Sequence, residues 1–294
     1  MKASILIVTQ NRKEELERTL HVLEAYIDKS IHEVLVFDDG SSDNTSELIN
    51  TFNWVKWEYS KKNLGASVAR NKLYKKAKGD ILIGFDDDAH PLSNHFITKT
   101  QSIFLENAKI GIITFQEIRG VFVSDQEALQ QAEPDIVKYQ TNDFVGCGFA
   151  IRKEIYEKTN GFPTWIDIYG EESCLAIEVL DLGYEILYDN AIIVNHRVDR
   201  KKRLRQGRNY FRFEKQLKNT IFYYVVYYPN PMLKIARLLF HNFKKYGLKD
   251  VTYFKLFWIS IFVSFKEIYD ILKYRKPVQK STLQKLKTLK GIKY

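Results

Sequence analysis

The chain has 294 residues, 45% hydrophobic and 28% charged, an ordinary globular balance that can bury a sizeable core. Its net charge of +9 hides a division: residues 1–196 hold 20 Lys and Arg against 31 Asp and Glu, residues 197–294 hold 25 against 5. Two cysteines, Cys147 and Cys174, fit neither a disulfide framework nor a metal-ligand spacing, which leaves two small buried apolar residues and a reducing cytoplasm as the expected home.

No secretory h-region or cleavage site is expected, because Lys2 leads straight into a strand-like run over residues 4–8. An amphipathic helix over 12–26 follows, with Leu16, Leu20 and Leu23 on one face, and then a second strand over 34–37. That strand ends in the acidic turn Asp38-Asp39-Gly40-Ser41-Ser42-Asp43. A short helix over 45–51, a strand over 54–59 and a helix over 66–77 lead to the continuous apolar strand 81–85. There the chain places Asp86-Asp87-Asp88. Three adjacent carboxylates repel one another, and their simplest partner is a divalent cation that carries a phosphorylated ligand.

A helix over 94–106 and a strand over 110–115 continue the alternation, which predicts an α/β fold: a mostly parallel sheet with helices on both faces. In such sheets ligands bind beyond the strand C-terminal ends, so Thr9, Asp38-Asp39 and Asp86–Asp88 should converge on one rim. Residues 117–144 are less regular and are expected to contain loops across that rim. A glycine turn at 146–151 enters a strand, Gly161-Phe162-Pro163 turns, and Gly170-Glu171-Glu172 opens a helix over 173–182. Short strands over 186–188 and 192–194 end in Asn195-His196-Arg197.

The remaining 98 residues are basic and aromatic, without an apolar run long enough to span a bilayer. The longest uncharged stretches, 219–233 and 256–265, suit a segment lying in a bilayer interface or an appendage packing its aromatics on the body. The basic tail suits a polyanionic partner, a membrane surface, a phosphorylated acceptor or nucleic acid, and its run 200–205 can close over a diphosphate or grip anionic lipid. No nucleic-acid motif accompanies the charge and the body is acidic, so no nucleic acid is expected.

Taken in order, Thr9-Gln10-Asn11-Arg12, the 38–43 turn, Asn63-Leu64-Gly65 with Ala69-Arg70-Asn71, Asp86–Asp88, and the later glycine and glutamate turns resemble a family. It is the family 2 inverting glycosyltransferases of GT-A fold, bacterial surface-polysaccharide type, over roughly residues 3–200. The resemblance implies a catalytic domain at 1–200, and the charge division makes 201–294 a basic, aromatic-rich helical extension. The resemblance also implies a nucleotide-sugar donor, a UDP-sugar first among them, and a glycan or lipid-linked acceptor. The basic tail, apart from the resemblance, would place such an enzyme peripherally on the inner face of the membrane, where a lipid-linked acceptor lies.

Thr9, Asn11, Arg12, Asp39, Arg70, Asp86 and Asp87 would bind the nucleotide, although Arg70 could instead be an ion-pair partner of the aspartates. Asp88, with Asp86 and His196, would hold Mn²⁺ or Mg²⁺. Glu172, where the family usually has Asp, would be the catalytic base and Glu171 its neighbour holding acceptor, with the order of the two open. The competing readings are a nucleotide-sugar-binding protein without transfer activity and a nucleic-acid binder working through the tail.

Overall fold

The computed structural model describes residues 1–292, the side chain of Arg200 excepted. Nine strands form one sheet: β1 Ala3–Thr9, β2 Glu33–Asp39, β3 Lys56–Ser60, β4 Ile81–Asp86, β5 Ala89–Pro91, β6 Ile110–Arg119, β7 Lys138–Thr141, β8 Gly148–Arg152 and β9 Glu185–His196. Their order is β3-β2-β1-β4-β8-β6-β9-β5, with β7 also paired to β9. The β3-β2-β1-β4 half is parallel, as is the β6–β9 pair, while β8, β5 and β7 run antiparallel to their neighbours.

β1, β2 and β4 are buried on both sides, which is why they read as unbroken apolar runs. Ile5 and Ile7 point into one core with Leu16, Leu20 and Leu23 of helix Lys13–Tyr26 and with Phe96 and Phe104 of helix Phe96–Glu106. Leu6 points the other way, joining Ala69 and Leu73 of helix Ala66–Tyr74 and Leu175 and Val179 of helix Glu171–Asp181. The period-two alternation therefore feeds two cores, one on each face of the sheet.

Two expectations change. Residues 117–144 hold loops but more regular structure than expected: β6 continues to Arg119, Ser124 caps a short helix Asp125–Leu129, and β7 adds a strand. The two strands expected over 186–188 and 192–194 are one strand, β9, whose register against β6 jumps between Phe115↔Asp189 and Gln116↔Ile193. At the bulge the Asn190 amide bonds the backbone of Asp135 and Val137, while Ile192 stays in the core. The strand then resumes and carries His196 to the rim, opposite Ala89.

Beyond β9 the chain is helical. Helix Arg208–Tyr227 buries Phe213, Leu217, Ile221, Phe222 and Val225 against Ile166, Cys174 and Ile177 of the body. Of the two readings of stretch 219–233, packing on the body therefore holds over residues 219–227, whose apolar side chains are covered there. Helix Val251–Leu272 packs on Arg208–Tyr227 through Phe257 and Ile271. The chain then returns to the body. Asp181 accepts from Gln279 N at 2.8 Å and Thr282 Oγ1 at 2.6 Å, and Lys290 bridges to Thr141.

Candidate active site

The strand ends converge as the alternation predicts, around a cleft of about 970 Å³. Thr9 closes β1, Asp39 closes β2 and Asp86 closes β4, because parallel neighbours in register end at one level. Asp39 is held by two backbone N–H groups, Leu64 at 2.8 Å and Gly65 at 2.9 Å, so its carboxylate is fixed at the cleft wall. Burial nevertheless pushes its pKa up. Gly65 has φ +92°, and a Cβ there would lie 2.9 Å from the Asp167 backbone, so the turn that supplies these donors requires glycine.

The three aspartates have separate partners. Asp87 points into the fold, accepting from Thr9 Oγ1 at 2.8 Å and from Arg12 Nη1 at 2.8 Å. Burial raises its pKa to about 7. Asp88 accepts from Arg12 Nη2 at 2.5 Å and from Arg203 Nη2 at 3.3 Å, both on Oδ2. Its Oδ1 is buried without a hydrogen bond and lies 3.3 Å from His196 Nε2. Burial works against charge on Asp88, but His196 and Arg12 outweigh it and hold the carboxyl below the usual range. Asp86 pairs with Arg70 Nη2 at 2.5 Å.

Arg70 is the centre of the opposite wall. Its Nη1 reaches Glu172 Oε1 at 3.1 Å and Glu171 Oε1 at 3.3 Å. The ion-pair alternative for Arg70 is thus present in the geometry, with three carboxylates. Gly146 makes room for the group, since a Cβ there would fall 2.2 Å from Glu172 Oε1 and 3.0 Å from the Arg70 guanidinium. Glu171 is buried, and burial with the neighbouring Glu172 pushes its pKa up to about 8. The side chain of Glu172 is 22% exposed and faces the cleft.

Asp86, Asp88 and His196 offer ligand atoms all within 4.8 Å of one another. Two hard carboxylates and an imidazole, one carboxylate oxygen orphaned and buried, fit a divalent cation of the Mn²⁺ or Mg²⁺ kind. Behind them Glu117 Oε1 meets His196 Nδ1 at 2.5 Å. Burial opposes charge on Glu117, but His196 and Arg119 outweigh it and bring its pKa down to about 2, so the carboxylate accepts from Nδ1–H and turns Nε2 toward Asp88.

The candidate site residues all line the cleft except Asn11, and Asp38, expected on the same rim, instead accepts from Ser41 N at 2.9 Å. Asn11 sits at φ +53° and spends its Oδ1 on Ser42 N at 2.6 Å, pinning the first turn to the second. Sequence reasoning missed Glu117, Cys147 and Asp143, which reach the wall from β6 and from the segment before β8. It also missed Arg208 and Arg212, which helix Arg208–Tyr227 brings over the cleft beside Tyr169. Their i, i+4 spacing was the available signal. Cys147 shows why spacing is blind here: it lies within 4.8 Å of Glu117 and His196, yet each of the three comes from a different stretch of the chain.

A sequence profile of glycosyl transferase family 2 matches residues 4–159, more than half of the chain. The chain belongs to glycosyl transferase family 2. It is similar to the UDP-Glc:alpha-D-GlcNAc-diphosphoundecaprenol beta-1,3-glucosyltransferase WfaP of Escherichia coli, 29% identical over 66% of this chain and 76% of that one. It is 25% identical to the probable glycosyltransferase YdaM of Bacillus subtilis over 65% of its length, and there it spans only half of the relative. The fold matches the mannosyltransferase PcManGT from Pyrobaculum calidifontis, solved with GDP-Man and Mn²⁺, with a TM-score of 0.58 at 17% identity over 97% of this chain and 78% of that one. The glycosyltransferase body is accordingly of GT-A type, and a helical region follows it.

Proposed function

We propose that this glycosyltransferase moves a sugar with inversion from a UDP-sugar to a glycan or lipid-linked acceptor in cell-surface polysaccharide synthesis. The observation that carries the reading is the arrangement of one cleft. The Asp86–Asp88–His196 ligand set lies on one wall and the Glu171–Glu172 pair on the other, joined through Arg70. A donor diphosphate on the first wall presents its anomeric carbon toward the second. WfaP, a relative with a UDP-glucose donor and a diphosphoundecaprenol-linked acceptor, supports the donor and acceptor classes.

In this reading Asp39 accepts from a ring N–H of the base, and Thr9 and Asp87 fix the floor through their mutual hydrogen bond. Asp86, Asp88 and His196 hold Mn²⁺ or Mg²⁺, which when bound neutralises the departing diphosphate. Arg12, Arg203, Arg208 and Arg212 place further positive charge over the same anion.

The acceptor hydroxyl is a poor nucleophile until a carboxylate takes its proton. Glu172 faces the cleft and is the base. Glu171, with its pKa near 8, is protonated at neutral pH and holds the acceptor by hydrogen bonding. The catalytic body occupies residues 1–200, and the extension at 201–294 supplies the arginine cover and keeps the enzyme peripheral on the inner membrane face.

Thermal unfolding with UDP, GDP, dTDP and CMP, each with and without Mn²⁺, tests the site. UDP is expected to raise Tm only with the metal, and Asp88→Ala is expected to lose that shift. No shift with any nucleotide would defeat the reading. The anomeric configuration of the product, read by NMR, tests inversion.

A further inference from the structure

Helix Val251–Leu272 is apolar on opposite sides. Phe257, Ser260, Ser264 and Ile271 are buried toward the enzyme. On the outer side Val251, Phe254, Trp258, Phe262, Phe265 and Tyr269 follow at intervals of three or four residues, which makes one helical stripe. Phe262 is 71% exposed and Phe265 80%. The preceding helix Met232–Asn242 has no buried residue and exposes Met232, Leu233 and Phe240. Phe243, in the turn that joins the helices, brings its ring to within 6.1 Å of Phe254 and 6.5 Å of Trp258, so the exposed groups form a connected surface. Contiguous apolar surface of this kind marks an interaction site.

The charge around the stripe names the partner. Residues 232–275 hold nine Lys and Arg against three Asp and Glu. The three acids are already engaged: Asp250 caps its helix, Glu267 pairs with Lys218 and Asp270 with Lys273. Lys244, Lys245, Lys249, Lys255 and Lys266 are exposed beside the aromatics. A second copy would bring the same cations and be repelled. Anionic headgroups would pair with the lysines while Trp, Phe and Tyr enter the headgroup–acyl boundary. No described helix is long and apolar enough to cross a membrane.

We infer that the outer faces of helices Met232–Asn242 and Val251–Leu272 form an in-plane docking surface for an anionic lipid bilayer. This specifies the peripheral attachment included in the reading above and does not depend on the transfer chemistry.

The test is flotation of the full chain with phosphatidylglycerol–phosphatidylcholine vesicles, with phosphatidylcholine alone, and after the combined change Phe240→Ser, Phe262→Ser and Phe265→Ser. Wild-type protein is expected to float with the anionic vesicles and poorly with the neutral ones. Each serine is expected to weaken partition about tenfold. Brominated lipid is expected to quench tryptophan fluorescence, and Trp258→Phe to remove most of that quenching. Protein that ignores anionic vesicles would overturn the inference, as would triple-variant binding equal to wild type. A concentration-dependent dimer without lipid, abolished by the same three changes, would assign the face to a second copy and also overturn it. An unchanged UDP-dependent thermal shift in the triple variant shows that the fold survives and separates failure of docking from failure of the transferase reading.

Discussion

The guanidinium of Arg70 faces Asp86, Glu171 and Glu172 in a wall that water reaches poorly. Removing it leaves the Asp86 and Glu172 carboxylates without their counter-charge and buried Glu171 without its hydrogen-bond donor. Arg70→Met is expected to cost about 3–5 kcal/mol, measured as a lower urea midpoint. The two glutamates separate by kinetics. Glu172→Gln is expected to lower kcat about 10²–10⁴-fold while the UDP- and metal-dependent thermal shift persists, and Glu171→Gln to lower it far less. Equal losses from both would remove the assignment of the base.

Asp143 carries a pH dependence of its own. It accepts from Ser173 Oγ at 2.6 Å, and burial pushes its pKa to about 7, against about 4 in an unfolded chain. Between those values the folded state holds a proton that the unfolded state has released, so this residue's contribution to stability falls as pH rises through the window. Asp143→Asn is expected to flatten that fall in urea midpoints taken from pH 4 to 7.

Among elements, strands buried on both faces and the turns that follow them were legible in the sequence, because continuous apolar runs ending in aspartates admit few arrangements. What escaped was non-local. β9 reads as two pieces, because the bulge at Asn190–Ile192 interrupts its pattern, and only pairing with β6 on both sides of the bulge joins them. Glu117 looked like the start of a loop, because β6 turns polar just where it reaches the rim.

Helix Val251–Leu272 gives an element-scale expectation. Its cap Asp250 accepts from Thr252 N at 2.7 Å and Tyr253 N at 3.0 Å and binds Tyr210 Oη at 3.0 Å. Asp250→Ala removes the cap and is expected to lower Tm.

Across the whole molecule the charge division seen in the sequence becomes a division of labour. The acidic body supplies the carboxylates of the cleft, and the basic extension supplies Arg203, Arg208 and Arg212 above them. The extension is also part of the packing: Tyr227 Oη donates to Glu178 Oε1 at 2.7 Å, and Lys276 pairs with the same carboxylate. A chain cut after residue 200 would expose Cys174 and Ile177, which helix Arg208–Tyr227 covers. Residues 1–200 alone are expected to be poorly soluble, or to keep far-UV circular dichroism while losing a cooperative melt.

That same covering helix has a consequence for synthesis. Residues 171–181 emerge from a ribosome well before residues 208–227, and at about 5–20 residues per second the delay is several seconds. Throughout that interval the nascent sheet presents an oily flank with nothing to shield it. A mutation that slows docking of the helix would therefore reduce yield in the cell through chaperone capture and proteolysis, even where the purified enzyme is as stable and active as its parent.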